Sequence, residues 1–272
     1  MKRGFVYPGG KASDAVRCAR AAEAAGWDGF FVWEPLWGVD AWATLAAVAV
    51  STSRIRLGTM VTPITRRRPW KLAGETLAVD ELSNGRLILS VGLGAPETGW
   101  ASFGEETDRK RRAERTDEGL AILTGLWQGQ PFAFNGAHYT VTPLDFANPH
   151  PPVQQPRIPI WVVGALGKPK SLARALKYDG ILPTVTGADS PHPTPALLRE
   201  FTSWLADQGL ERPFEIVLEG DHSEKSRDEE AETSGRWAEA GATWWLEGMW
   251  GAVEEAYAPA VQEKVLARVM RG

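Results

Sequence analysis

Cysteine is almost missing from this chain. The single one, Cys18, falls inside a helical pattern, and a lone thiol cannot close an internal disulfide, which fits a reducing compartment. Long apolar runs are missing as well: none approaches the ~20 residues of a membrane span. The start, Met1-Lys2-Arg3-Gly4-Phe5-Val6-Tyr7 followed by Pro8-Gly9-Gly10, has no apolar core of a signal peptide. A cytoplasmic protein with no membrane partner is therefore expected. There is no basic excess, since 30 Lys and Arg face 34 Asp and Glu for a net charge of −4, so no nucleic-acid partner is expected. Histidine is scarce: His138, His150, His192 and His222 are scattered, and two of them precede prolines. With no H-E-x-x-H, Walker or G-x-S-x-G motif, neither a metal site nor a catalytic histidine is expected.

What is present describes a globular chain. Its 272 residues, 43% hydrophobic and 24% charged, suffice for one large core. Short apolar runs alternate with helical patterns from end to end. The strand candidates are Gly4–Tyr7, Phe30–Trp33, Ile55–Val61, Arg86–Val91, Ile158–Val163, Gly180–Leu182, Phe214–Leu218 and Thr243–Leu246. Helical patterns follow each. Ser13 is expected to cap the first and Asp40 the second, Pro69 opens the third, and Asp108 to Trp127 forms a long fourth. Others begin near Pro169, Thr194 and residue 228, and the last ends at Met270. Strict β-then-α alternation implies a parallel sheet, and eight units of this length close into a (β/α)8 TIM barrel. The expected fold is thus α/β, one domain over 1–272, with an excursion after strand four at about 95–157 that includes a hairpin through Phe132–Phe134 and His138–Thr140.

In such barrels chemistry sits at the C-terminal ends of the strands. Glu34, flanked by Trp33, Pro35 and Trp37, reads either as a desolvated acid/base or as a structural salt bridge across the mouth. Gly92-Leu93-Gly94-Ala95-Pro96-Glu97 is glycine-rich but is not G-x-G-x-x-G. Gly92 and Gly94 would let the backbone approach a flat ligand, and Glu97 reads as an acid/base or as a rim carboxylate without a role. Gly164-Ala165-Leu166-Gly167-Lys168-Pro169-Lys170 leads from a strand into a helix. It reads as an anion site or as a tight turn with solvated lysines. Arg66-Arg67-Arg68 reads as a solvated loop or as a contact for an acidic cofactor tail.

Several blocks together resemble the bacterial-luciferase-like flavin- and deazaflavin-dependent oxidoreductases. They are Trp27-Asp28-Gly29-Phe30-Phe31-Val32-Trp33-Glu34, Ser53 to Pro63 (SRIRLGTMVTP), Leu82 to Gly92 (LSNGRLILSVG), Arg115 to Leu120, Pro159 to Gly164 (PIWVVG) and Asp179 to Thr184 (DGILPT). The resemblance runs over about 4–185 and is weaker beyond. It implies FMN or coenzyme F420, a 5-deazaflavin, at the C-terminal face. The cofactor would meet Thr59, Met60, Val61, Gly92, Gly94 and Thr184, with its phosphate at Gly164, Ala165, Leu166 and Gly167. It also implies a cis peptide at Thr59–Met60 or Met60–Val61, a catalytic role for Glu97 beside the acid/base reading of Glu34 from its flanks, a homodimer through the helices carrying Trp42, Leu45, Trp70, Ala73 and Leu77, and a small-molecule substrate. Many members carry Asp-His or a similar pair after strand two, where this chain has Glu34-Pro35, so their acid/base mechanism does not carry over directly. The first expectation is a monooxygenase using reduced FMN from a separate flavin reductase. The alternative is F420-dependent hydride transfer by a dehydrogenase or reductase. A non-catalytic flavin-binding protein, or an unrelated lyase on the same barrel, would come next.

Overall fold

A computed structural model describes residues 1–144, 150–187 and 191–272; part of the expected 95–157 excursion, 145–149, lies outside them. The barrel strands are β1 (Lys2–Tyr7), β2 (Gly29–Val32), β3 (Arg56–Thr59), β4 (Leu87–Gly92), β5 (Ile160–Ala165), β6 (Gly180–Thr184), β7 (Glu215–Gly220) and β8 (Trp244–Gly248). Each pairs in parallel with its neighbours, β8 returns to β1, and β3 pairs with β4, so the ring is closed. The helices are α1 (Ala12–Ala24), α2 (Ala41–Ser51), α3 (Pro69–Leu82), α4 (Arg109–Trp127), α5 (Pro169–Ala175), α6 (Pro195–Ala206), α7 (Arg227–Glu239) and α8 (Pro259–Met270).

Alternation along each strand sorts the apolar residues into two layers. Phe30 faces the helices, whereas Phe31 joins Val6, Ile88, Trp161, Val217 and Trp244 inside the barrel. The inner layer is filled largely by aromatics: Phe31 lies 5.5 Å from Trp161, and Trp161 lies 5.2 Å from Trp244, centroid to centroid. Such bulk needs a thin wall nearby. At Gly58 a Cβ would stand 2.1 Å from the Ile88 carbonyl oxygen, so only glycine lets β3 approach β4 there.

Local chemistry sets most boundaries. Asp40 accepts the Ala43 N–H at 2.7 Å and Asp108 the Arg111 N–H at 2.8 Å, capping α2 and α4. Asn84 and Gly85 take positive φ, 53° and 77°, in the turn after α3. Ser13 is not the cap of α1: the helix begins at Ala12 and its N-cap is Lys11, with no side-chain bond. The third strand also stops earlier than expected. Pairing breaks after Thr59 at a cis Met60–Val61 peptide and resumes at Thr62–Pro63, opposite Val91 and Gly92. The hairpin is present but shifted, pairing Phe134–Asn135 with Thr140–Val141. No helix among the described residues is long and apolar enough to cross a membrane.

Candidate active site

The C-terminal mouth of the barrel holds a cavity of about 400 Å³, within the usual range of small-molecule sites. Its floor is the cis Met60–Val61 segment together with Gly92 and Val163. A Cβ on Gly92 would come within 3.0 Å of Val61 and 3.1 Å of Val163, so these residues form a close-packed apolar surface. One wall is Trp100, buried with Arg66 and Arg112 at 5.4 and 5.5 Å from its ring. Gly94, at φ 77°, presses on the same indole: a Cβ there would be 2.2 Å from it. Arg112 donates to the carbonyls of Leu93 and Gly94 at 2.6 and 3.0 Å, fixing the glycine-rich loop from α4. The Nε atoms of Arg66 and Arg112 are buried without a hydrogen-bond partner among the described residues. An apolar floor, an aromatic wall and cationic edges with orphaned donors fit a flat, anionic cofactor such as a flavin or deazaflavin.

Glu34 lines this cavity, yet its carboxylate is engaged. Arg67 Nε donates to Oε1 at 2.8 Å and the Thr62 hydroxyl lies 3.0 Å from Oε2. Arg66 stands 3.6 Å from Oε1 and donates to the Glu34 and Pro35 carbonyls at 2.9 and 3.1 Å. Of the two readings of Glu34, the geometry is that of an ion pair across the mouth. The solvated-loop reading of Arg66-Arg67-Arg68 is corrected for the first two. Their side chains are only 7% and 16% exposed, because Glu34 after β2, Asp40 at the cap of α2 and Glu75 on α3 converge on Arg67, and Glu34 also faces Arg66. Arg68 is exposed, lying over Trp70.

The other expected site residues divide by position. Met60, Val61, Gly92, Gly94, Ala165 and Thr184 line the cavity. Thr59 is fully buried beneath it, donating to the Ser90 carbonyl at 3.1 Å. Gly164 packs outward, where a Cβ would meet Ile181 at 2.5 Å, while Gly167 holds φ 72° in open space. Leu166 donates its N–H to Thr184 at 2.8 Å, and Ala165 donates to the Ser171 hydroxyl at 2.9 Å. This turn therefore borders the cavity through Ala165 and Ser171. Glu97 is exposed in the Pro96–Thr98 turn, outside the lining.

Trp250, where the eighth strand ends at the mouth, also lines the cavity, as do Trp100, Arg109, Arg112 and Ser171, which were not singled out from the sequence. A second cavity of about 180 Å³ adjoins the first, sharing Met60, Val61, Val163, Thr184 and Trp250 with it. Glu219 and His192 enter its lining. Burial pushes the Glu219 carboxyl above its ordinary range, against the opposing pull of His192 and of the Trp250 N–H. A larger cavity of about 840 Å³ opens at the other end of the barrel. Its charges are largely paired: Arg157 with Asp179, Lys2 with Glu215.

Fold and site together define a (β/α)8 barrel whose C-terminal mouth has an apolar floor, an aromatic wall and cationic edges. The family description "Luciferase-like monooxygenase" matches residues 2–265, and the chain belongs to that family, which has F420-dependent and FMN-dependent members. A Mycobacterium tuberculosis protein named as a coenzyme F420-dependent oxidoreductase is 35% identical over 206 residues, 71% of this chain and 55% of its own length. The oxygenase component of the flavin-dependent trigonelline monooxygenase of Acinetobacter baylyi is 33% identical over 118 residues, 43% of this chain and 32% of its own length. The chain thus spans little more than half of the first relative and a third of the second. Among solved structures, an F420-dependent secondary alcohol dehydrogenase superposes with a TM-score of 0.75 at 18% identity, covering 100% of this chain and 99% of that one; this likeness is one of fold.

Proposed function

We propose that the chain is an F420-dependent oxidoreductase that moves a hydride between the deazaflavin and a small organic substrate. This reverses the order expected from sequence, where FMN monooxygenation came first. The observation that carries the change is the extent of the matches. The relative named for F420 aligns with 71% of the chain, and the flavin monooxygenase with 43%. A flavin reductase partner belongs to the FMN reading and is not required by this one.

The bound deazaflavin would supply two-electron hydride chemistry. The chain's own residues bind and orient it. The Met60–Val61 floor and Gly92 would support the ring, and Trp100, braced by Arg66 and Arg112, would close one side. The phosphate would sit beside the Gly164–Gly167 turn, where Ser171 and Thr184 line the cavity. The acidic tail of F420 calls for cations beyond that turn. Arg109 is an exposed residue of the cavity lining, and Lys168 and Lys170 are exposed at the start of α5. Glu34, through Arg67 and Arg66, would hold the mouth in shape.

Replacing Arg109, Lys168 and Lys170 together by glutamine tests the assignment. Exposed ion pairs contribute ~0–1 kcal/mol each, so the three together should weaken F420 binding about tenfold. FMN, which lacks the tail, should lose about twofold or less by the same reasoning. Equal losses for both cofactors would remove the tail from these residues. We also propose that α2 and α3 pair across a two-fold axis to form a homodimer.

A further inference from the structure

We propose that Glu219 is the proton-exchanging group of the substrate pocket, facing a hydroxyl or carbonyl oxygen of a small, largely apolar substrate in the cavity beside the Met60–Val61 floor. The proposal rests on the F420 reading for its hydride acceptor and on the geometry below for the proton.

Strand β7 alternates strictly. Ile216 and Leu218 belong to the outer layer and Val217 to the inner one. Glu219, two residues after Val217, therefore points into the barrel, in register with Leu246 of the inner layer on β8. It stands one pleat above the packed aromatics, at the level where the barrel opens. Its Oε2 accepts the Trp250 indole N–H at 3.3 Å. The space in front of it, about 180 Å³, is walled by Met60, Val61, Val163, Leu182 and Val217. That volume and lining suit a compact, mostly apolar molecule with one polar group. The same space meets the cavity of about 400 Å³ along the Met60–Val61 floor, so a molecule in it lies next to whatever rests on that floor.

The other carboxylates of the mouth are placed differently. Glu34 is held by Arg67, and Glu97 is exposed outside the lining. Glu247 on β8 is turned outward to Arg268 at 3.1 Å. The groups acting on the Glu219 charge are His192, from the segment after β6, and Trp250, after β8. From the segment after β3, and from β5 and β6, the cavity beside it is lined by apolar side chains and Thr184.

In the oxidative direction the substrate O–H bond breaks and its proton passes to the Glu219 carboxylate. The O–H electron pair becomes the second C–O bond, and the adjacent C–H pair leaves as hydride to the deazaflavin, which is reduced. Alcohol oxidation needs the ionised carboxylate, so its rate rises with pH through the elevated Glu219 value. Carbonyl reduction needs the protonated form and shows the opposite slope.

The test combines a cofactor-free readout with a kinetic one. Difference infrared spectroscopy across pH on the wild type and Glu219→Gln should show a carboxyl that stays protonated above the ordinary glutamate range and is missing from the variant, beside that of Glu75, which burial also raises and which both proteins keep. Reduction of bound F420 by 2-butanol should fall at least about hundredfold in Glu219→Gln, as for loss of a general acid/base, and lose its pH slope. Glu219→Asp should recover part of the rate, and F420 affinity should be unchanged in both variants. Carboxyl bands unchanged between the wild type and Glu219→Gln, or a lost band that titrates in the ordinary range in the wild type, overturn the proposal. So does a Glu219→Gln enzyme with wild-type rate and pH profile. If the wild type binds no F420, the proposed function fails, while the infrared titration still decides whether Glu219 carries the proton.

Discussion

Arg67 holds three carboxylates, two from the loop between β2 and α2 and one from α3. It donates to Glu34 at 2.8 Å and Glu75 at 2.8 Å, and lies 3.5 Å from Asp40. With Glu34 only 8% exposed, removing the arginine would leave a buried carboxylate short of its partner. Arg67→Ala should therefore lower unfolding free energy by about 3 kcal/mol, read from the urea midpoint. Arg67→Lys should recover only part, because an ammonium cannot reproduce the guanidinium fork. A loss below about 1 kcal/mol, the range of an exposed pair, would show that the cluster is not held as described. His222 gives a pH-dependent counterpart. Burial, reinforced by Lys225 and Arg268, pushes its imidazole down to about 4, where it stacks on Trp245 at 4.4 Å. A folded value below the unfolded 6.5 favours the neutral ring. Its stabilisation is present above that unfolded value and drains away as pH falls toward about 4. His222→Phe, which keeps a ring against Trp245, should flatten this part of the stability–pH curve. An unchanged slope between neutral pH and the folded value would contradict the assignment.

At the scale of elements, Glu23 ties the end of α1 to the start of β3. Its Oε1 accepts the N–H groups of Ser53, Arg54 and Ile55 at 2.9, 2.6 and 2.9 Å. Burial alone would raise this carboxyl, but the three amides outweigh it and hold it to about 2. The stabilisation is therefore complete above the ordinary glutamate value and is lost as pH falls toward about 2. Glu23→Gln should cost about 1.5–3 kcal/mol near neutral pH, the range for bonds to a charged acceptor, and the gap to wild type should close in acid, as read by denaturant melts at several pH values. The barrel elements themselves were legible in sequence, because β2 and β5 are short apolar runs and Asp40 and Asp108 sit where a cap belongs. The active mouth was legible only in part. Met60, Val61, Gly92 and Gly94 stand at strand ends, where barrel topology directs attention. Arg112 and Glu219 do not announce themselves: one is a charge inside a helical stripe, the other a polar residue in a strand. Their roles come from partners far along the chain, such as Trp250 for Glu219, and from which face the closed ring turns inward. Arg66 and Arg67 misled for the same reason, since a run of three arginines looks solvated until the carboxylates that bury two of them are assembled.

At the scale of the molecule, the barrel presents two unlike ends. One gathers paired charges around the 840 Å³ cavity, the other the floor, the braced tryptophan and Glu219. On the side of the barrel, four of the five residues expected at a dimer interface, Trp42, Leu45, Ala73 and Leu77, are buried within the chain, and only Trp70 is exposed, at 49%. Val50 and Leu82, 64% and 48% exposed, lie on the same two helices. Light scattering at micromolar concentration should give a dimer, and Trp70→Glu should shift it toward monomer; a monomeric wild type ends that proposal. The central claim concerns the cofactor, and equilibrium binding of F420 and FMN to the purified protein at low and high salt tests it most directly. The account predicts F420 at least about tenfold tighter at low salt, a difference of about 1.4 kcal/mol, with the gap narrowing as salt screens the exposed cations. FMN binding as tightly as F420, or a gap that ignores salt, would contradict it.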